Sequence, residues 1–333
     1  MTTLVTGAAG FIGAAVCRAL VAQGDTVLGI DNFEPYYDVA LKQARVADIQ
    51  AGAGGEGFAF ERCDFSDREA LASCLEGRSI ERIVHLGAQP GVRYSIENPH
   101  VYATANIVGH VNMLEYARHN AIGHMVYASS SSVYGGNEKV PFSVEDRTDH
   151  PVSLYAATKR ADELISESYA SLYRLPQTGL RFFTVYGPWG RPDMMPWLFT
   201  SAILEGRPIQ VFNHGKMQRD FTYIDDIVAG VIACLDHPPA DDGAQKPGGS
   251  HAPHAIYNIG NNRSEELMKV IGIIEDACGR KAEIEMRGMQ KGDVERTYAD
   301  ISAMERDFGY RPTTPVETGF PKFVAWYRDY HGI

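Results

Sequence analysis

Residues 2–13, TTLVTGAAGFIG, constrain the fold more than any other stretch of the chain. An apolar run of strand length, TLVTG, leads directly into glycines at 7, 10 and 13. A helical apolar pattern follows, FIGAAVCRALVAQG, and stops at Gly24. Glycines spaced this way permit a tight turn, and the helix then presents its free N–H groups and positive dipole end to whatever occupies the turn. The alternation continues downstream. TVLGID, FAFERCD, RIVHLGA and HMVYASSS are further apolar runs, and helical patterns lie between most of them, including residues 67–76 and about 99–119. Nearly continuous apolar strands separated by helices predict a parallel sheet covered on both faces.

The fold class expected is α/β: a Rossmann-type doubly wound parallel sheet with a smaller C-terminal α/β substrate lobe. Residues 1–175 read as the nucleotide-binding domain and 176–333 as the lobe, with some later segments returning to the first sheet. The second half holds shorter mixed elements: PIQVF, YIDDIVAGVIACLD, IYNIGN, a helix from Ser264 to Cys278, EIEMR and a C-terminal helix ending near His331. Residues 239–254, rich in Pro, Gly and polar residues, read as a mobile surface loop, and 50–57 as a second flexible stretch.

The glycine turn predicts a pyrophosphate site built from Gly7, Gly10, Phe11, Ile12 and Gly13. Asp31 closes the second strand. A carboxylate there can accept hydrogen bonds from both hydroxyls of an adenosine ribose and would repel a 2′-phosphate, which favours NAD over NADP. Asn32 adjoins it. Asp64 and Phe65, at the end of the third apolar run, fall near the adenine. Leu86, Gly87 and Ala88, after the fourth, leave room for pyrophosphate and ribose. Asn106 is placed either against the cofactor or against buried backbone.

Bulk properties exclude other classes. The formal net charge is −11 with no polybasic run, and a nucleic-acid partner would need a basic face. The five cysteines are scattered without a Cys-x-x-Cys pair, as in a reduced, cytoplasmic protein. No tight His/Cys cluster suggests a metal. No signal-like or membrane-spanning apolar run is present.

In SLYAATKRADE, residues 153–163, Tyr155 precedes Lys159 by four positions, one helical turn. A phenol ordinarily titrates near about pH 10 and is a weak base at neutrality. An ammonium on the same helical face, together with an oxidised nicotinamide, favours the phenolate. Tyr155 could then take a hydroxyl proton while hydride leaves for the cofactor. Ser130 lies at the end of the fifth strand, at the edge where such sheets bind ligands. Ser131 and Ser132 adjoin it and leave the position of the active hydroxyl open.

The set of T-G-x-x-G-x-x-G, Asp31, YASSSSVYGG and Tyr-x-x-x-Lys resembles the extended short-chain dehydrogenase/reductase family over nearly the whole chain. Within it, RFFTVYGPWGRPDMMPWLF, RDFTYIDDI, YNIGN and MQKGDVERTYAD are most similar to bacterial UDP-glucuronate 4-epimerases. The resemblance implies an isomerase that holds NAD tightly, acts on a UDP-sugar and forms a homodimer through helices at about 99–119 and 154–174. It gives Tyr155 the role of acid/base, Lys159 that of ribose ligand and Ser130 that of orienting hydroxyl. On the substrate side it implies Arg219 at the diphosphate, Phe212 at uracil, Thr184 at the sugar or its phosphate, and Gln290 and Asp293 at the uridine ribose. Ser131 joins the sugar contacts, Thr297 widens the pocket, and Arg181 supports the fold.

Arg191, in GPWGRP, matches the carboxylate of a uronic acid in bidentate geometry. Arg93 and Ser95 could assist from the other side. Related dehydratases and decarboxylases carry Thr-Asp-Glu or Thr-Ser-Glu where this chain has Ser130-Ser131-Ser132. Without that carboxyl, plain epimerisation is favoured. The alternatives are a UDP-glucose or UDP-N-acetylhexosamine 4-epimerase, a UDP-glucuronate decarboxylase, and a nicotinamide-sensing protein without catalysis.

Overall fold

The structure, a computed structural model, describes residues 1–290 and 293–333. In chain order the strands are β1 (Thr2–Thr6), β2 (Thr26–Asp31), β3 (Phe58–Arg62), β4 (Arg82–His85), β5 (His124–Ser130), β6 (Gln177–Phe182), β7 (Thr184–Tyr186), β8 (Ile209–Val211), β9 (Gln218–Tyr223), β10 (His254–Ile259), β11 (Ser264–Glu266) and β12 (Ile284–Met286). Seven of them form one parallel sheet in the order β10-β6-β5-β4-β1-β2-β3. The chain winds outward from β1 through β2 to β3, then returns to place β4 on the other side of β1. That reversal opens a crevice beyond the carboxyl ends of β1 and β4, where ligands of doubly wound sheets bind.

Strand alternation explains the two-sided core. Val5, Val27, Val84 and Val126 point to one face and pack with Val16, Cys17 and Leu20 of the helix Phe11–Ala22 and with Ile227 and Val231 of the helix Ile224–Leu235. Their neighbours Leu4, Leu28, Ile83 and Met125 point to the other face, against Leu71 and Leu75 of Arg68–Leu75 and Met113, Leu114 and Ala117 of Gly109–His119. The strands β1, β2, β4 and β5 are therefore apolar on both sides, which is why their sequences show little polar alternation.

The remaining strands form a three-stranded sheet, β11-β9-β7, and a two-stranded one, β12-β8. The helices Met195–Glu205, Leu267–Cys278 and Val316–His331 pack around them. Both β6 and β10 extend the large sheet, so residues 177–182 and 254–259 return to it from beyond residue 175.

Three local expectations change. Ser264–Glu266 is not helical: it pairs antiparallel with Gln218–Asp220 of β9, whose open edge supplies backbone partners, and the helix starts at Leu267. The run 99–119 is helical but changes winding, with a π-helical segment at Ala103–Val108. Residues 239–254 lack a helix or strand until His254, yet Asp241 pairs with Arg174, Ser250 donates to Glu167 Oε1 at 2.9 Å, and Ile256 N donates to Pro247 O at 2.8 Å. These bonds fasten the segment to the body.

Candidate active site

A cavity of about 460 Å³ lies over the carboxyl ends of β1, β2, β4 and β5. Its lining includes Gly7, Gly10, Phe11, Ile12, Gly13, Asp31, Asn32, Asp64, Phe65, Leu86, Gly87, Ala88, Ser130, Tyr155, Lys159 and Arg191. The glycine turn is cramped where it meets the end of β4. Gly7 has φ +68°, and a Cβ there would stand 2.8 Å from Gly87 Cα; a Cβ on Gly13 would stand 2.0 Å from Gly7 O. Only bare backbone fits at these points, which leaves a shallow cradle in front of the helix Phe11–Ala22.

Asp31 accepts from Phe33 N at 2.8 Å and from Ala9 N at 3.3 Å, which ties the end of β2 to the glycine turn. The Lys42 ammonium lies 3.8 Å from it. Burial opposes ionisation of Asp64, but hydrogen bonds from Ser66 and Asn32 hold its carboxyl below the ordinary carboxylate range. Asn106 is absent from the lining. Its Oδ1 accepts from Gln89 N at 2.8 Å, and its Nδ2 donates to Gln89 O at 3.3 Å and Thr158 Oγ1 at 3.0 Å. The side chain thereby joins the π-helical segment, the loop after β4 and the Tyr155 helix.

Tyr155 and Lys159 share the cavity-facing side of the helix Leu154–Tyr173, started by the Ser153 hydroxyl accepting from Ala156 N at 3.1 Å. Lys159 is buried; its Nζ donates to Ala128 O at 3.0 Å and to Asp162 Oδ2 at 3.1 Å. Ser130 ends β5 and its Oγ accepts from Ser132 N at 3.1 Å. The preceding Ser129 is committed elsewhere, donating to Glu163 at 2.6 Å. Arg181 grips that same Glu163 through two bonds of 2.8 and 2.9 Å in the core, a supporting role.

The Arg191 guanidinium is already paired. Nε and Nη2 donate to the two oxygens of Asp193 at 2.9 and 2.6 Å, and Tyr36 OH donates to Asp193 Oδ2 at 3.1 Å. Behind this loop the fully buried Arg45 donates to the carbonyls of Trp189, Gly190 and Ala9. One side chain thus joins the Arg191 loop to the glycine turn.

A second group gathers from distant parts of the chain. The Arg93 guanidinium lies 5.3 Å from the Phe212 ring centre and 3.3 Å from Asp293 Oδ2. Arg219 belongs beside them: Asp293 acts on it electrostatically, and its Nη1 donates to Gln218 O and Glu295 O. Asp293 N donates to Gln290 O at 3.3 Å, and Gln290 Oε1 is buried without a partner among the described residues. Thr184 begins β7, and Ser131 opens the short helix after β5. Both are half-buried and neither lines the cavity. Ser95 is buried, and its hydroxyl donates to Val92 O at 2.6 Å, closing a turn. Thr297 Oγ1 accepts from Asp220 N at 3.1 Å, a brace on β9.

Sequence reasoning missed Lys42, Tyr36, Asp162 and Asp193. Asp162 and Asp193 had a readable signal, standing three and two residues after a singled-out cation. Lys42 and Tyr36 had none.

Comparisons with known proteins bear on the family and the fold. The sequence profile of the NAD dependent epimerase/dehydratase family matches residues 3–260. An uncharacterised 37.6 kDa protein of Escherichia coli O111:H- is 51% identical over 338 residues, spanning 100% of both chains. A probable UDP-glucuronate 4-epimerase of Rhizobium meliloti (strain 1021) is 46% identical over 333 residues, covering 98% of this chain and 97% of its own. Among solved structures, the UDP-glucuronic acid 4-epimerase of Bacillus cereus, in complex with UDP-glucuronic acid and NAD, superposes with TM-score 0.85 at 30% identity, over 99% of this chain and 100% of that one. Profile, relatives and fold converge with the cavity, and the chain belongs to the NAD dependent epimerase/dehydratase family.

Proposed function

We propose that the protein is an NAD-dependent isomerase that inverts C4 of a UDP-sugar, converting UDP-glucuronate to UDP-galacturonate through a transient 4-keto sugar. The observation that carries this reading is the shared cavity: Ser130, Tyr155 and Lys159 stand in it with the glycine turn, Asp31 and a guanidinium, that of Arg191. The relatives and solved structures that match over nearly the full chain support the same activity and NAD.

The residues present fit NAD. The cradle at Gly7, Gly13 and Gly87 excludes any side chain and suits a pyrophosphate. Asp31 at the end of β2 suits a ribose diol. When bound, NAD would supply the reversible hydride acceptance that oxidation at C4 requires and that no side chain here can provide.

The protein's own groups handle binding and the proton. Tyr155 takes the proton from the C4 hydroxyl as C4 is oxidised and returns it when the alcohol re-forms. Lys159, fixed between Ala128 O and Asp162, supplies the positive charge that favours the phenolate. Ser130 orients the reacting oxygen. Arg219 meets the diphosphate and Phe212 the uracil, with Arg93, Asp293 and Gln290 around the nucleoside and Thr184 and Ser131 near the sugar. Asn106 and Ser95 act on this site through the backbone groups they hold.

A 4-keto hexuronate is a β-keto acid and loses CO2 when its carboxylate bond aligns with the carbonyl π system. Arg191 holds the carboxylate out of that alignment. No carboxyl group stands in the serine triplet at 130–132 to shuttle a proton for elimination, which supports epimerisation over dehydration.

The working unit is a cytoplasmic homodimer. Exposed Val101 and Val108 on one helical run and Leu154, Leu164 and Leu172 on the other support pairing with a second copy. No helix among the described residues is long and apolar enough to cross a membrane.

The test is incubation with UDP-glucuronate, UDP-glucose and UDP-N-acetylglucosamine, without added cofactor, read by NMR of the products. UDP-galacturonate without CO2 release is expected. Conversion of the neutral sugars alone, or formation of a UDP-pentose, would overturn the assignment.

A further inference from the structure

Asp162 is among the most deeply buried acids in the protein, at 1% exposure. It sits one helical turn beyond Lys159, and its Oδ2 receives the Lys159 ammonium at 3.1 Å. Its other oxygen, Oδ1, is buried with no hydrogen-bond partner among the described residues. Asp162 does not line the cavity, whereas Lys159 does. The acid therefore lies on the far side of the ammonium from any ligand. Neither packing nor solubility calls for a half-satisfied carboxyl at such a place.

Among the described residues its surroundings leave Lys159 as its one available cation. Glu163, on the same helix, adds negative charge but is held by Arg181 of β6 and Arg160, and by Ser129 of β5. His110 is hydrogen-bonded through Nε2 to Ser166 Oγ at 2.8 Å, and His85 of β4 faces Lys159; burial drives both imidazoles far toward the neutral form. Tyr127 of β5 is kept protonated by burial, and His254 of β10 bonds it at 2.8 Å and Glu167 at 2.7 Å.

We propose that Asp162 is a positioning residue for the Tyr155–Lys159 pair: bound to the ammonium from behind, its carboxyl sets how much of that positive charge acts on the phenol. The inference rests on the catalytic reading of Tyr155 and Lys159 above. An ionised Asp162 largely cancels the ammonium, and a protonated one releases it. Burial, opposed by Lys159, pushes the Asp162 carboxyl up to about 7, so the change falls within the working pH range. Ionisation of Asp162 and of the phenol then oppose each other, which broadens the acid side of the rate profile.

The experiment compares wild type, Asp162→Asn and Tyr155→Phe, each purified with its bound NAD. Two quantities are followed against pH: epimerisation rate and the ultraviolet absorbance of phenolate, with Tyr155→Phe as the baseline. For Asp162→Asn, the acid limb should steepen and move about one unit lower, and the phenolate step should move with it. An Asp162→Asn enzyme whose limb and step stay at the wild-type positions overturns the proposal, even where turnover falls. Asp162→Ser, which removes the charge with less bulk, gives the same comparison if the asparagine variant does not fold. Wild-type turnover by Tyr155→Phe would instead overturn the catalytic reading beneath it.

Discussion

Replacing Arg191 with alanine is the sharpest test of substrate choice. In the structure Asp193 occupies the Nε and Nη2 donors, so the Nη1 edge is the one left to grip a second carboxylate. Hydrogen bonds between charged groups contribute about 1.5–3 kcal/mol each. Losing two such bonds, with partial compensation by water, costs about 3–4 kcal/mol, or roughly 10²–10³-fold in kcat/KM. The substitution also strips Asp193 of its cation, so a carboxylate held by Tyr36 would face the one on the sugar. The loss should therefore fall on UDP-glucuronate, while any UDP-glucose turnover changes less than about tenfold, the range of a lost neutral contact. Adding Asp193→Asn to Arg191→Ala should recover part of the loss by removing the repulsion. Steady-state kinetics on both sugars, with mass spectrometry for a leaked 4-keto-pentose, give the comparison. Equal losses on charged and neutral sugars, or normal UDP-glucuronate turnover, would refute the reasoning.

Two further outcomes follow from the packing. Gly13→Ala places a Cβ 2.0 Å from Gly7 O, and that oxygen belongs to the backbone of the turn and cannot swing away; the variant should purify without NAD, and retention of NAD at the wild-type level would contradict the cradle. His124 bonds Leu235 O and Thr178 Oγ1, and burial pushes its imidazole down to about 4, below the free value of 6.5. The folded state thus favours the neutral ring, and the stability this gives is present above pH 6.5 and is lost as pH falls toward 4. Thermal melts across that window should fall less steeply for His124→Gln than for wild type, and identical slopes would contradict the assignment.

The large sheet was legible because each of its strands is a short apolar run closed by glycine or a polar residue. Its order was not, since nothing in IYNIGN announces that residues 254–259 lie beside residues 177–182. Ser264–Glu266 was misread because its fate depends on the free edge of β9, a tertiary fact. The glycine turn, Asp31, Ser130, Tyr155 and Lys159 fall together because each ends or follows a strand on the same edge. Phe212 and Asp293 were reached only through the resemblance, and Arg93, expected to assist Arg191, lies instead beside them, 3.3 Å from Asp293 and up to 200 positions away in the chain. Asn106 was placed between cofactor and backbone, and its amide bonds put it with the backbone. Asp162 hid in plain sight: three positions after a lysine, an acid reads as an ordinary helix pair until its burial is known.

The central claim is that C4 is oxidised and re-reduced within one closed site, with no exchange of the carbon-bound hydrogen. Conversion of UDP-glucuronate in D2O, without added cofactor and with NMR of the product, tests it most directly. The account predicts UDP-galacturonate that keeps protium at C4. Deuterium at C4, or a strict need for free NAD with each turnover, would contradict it.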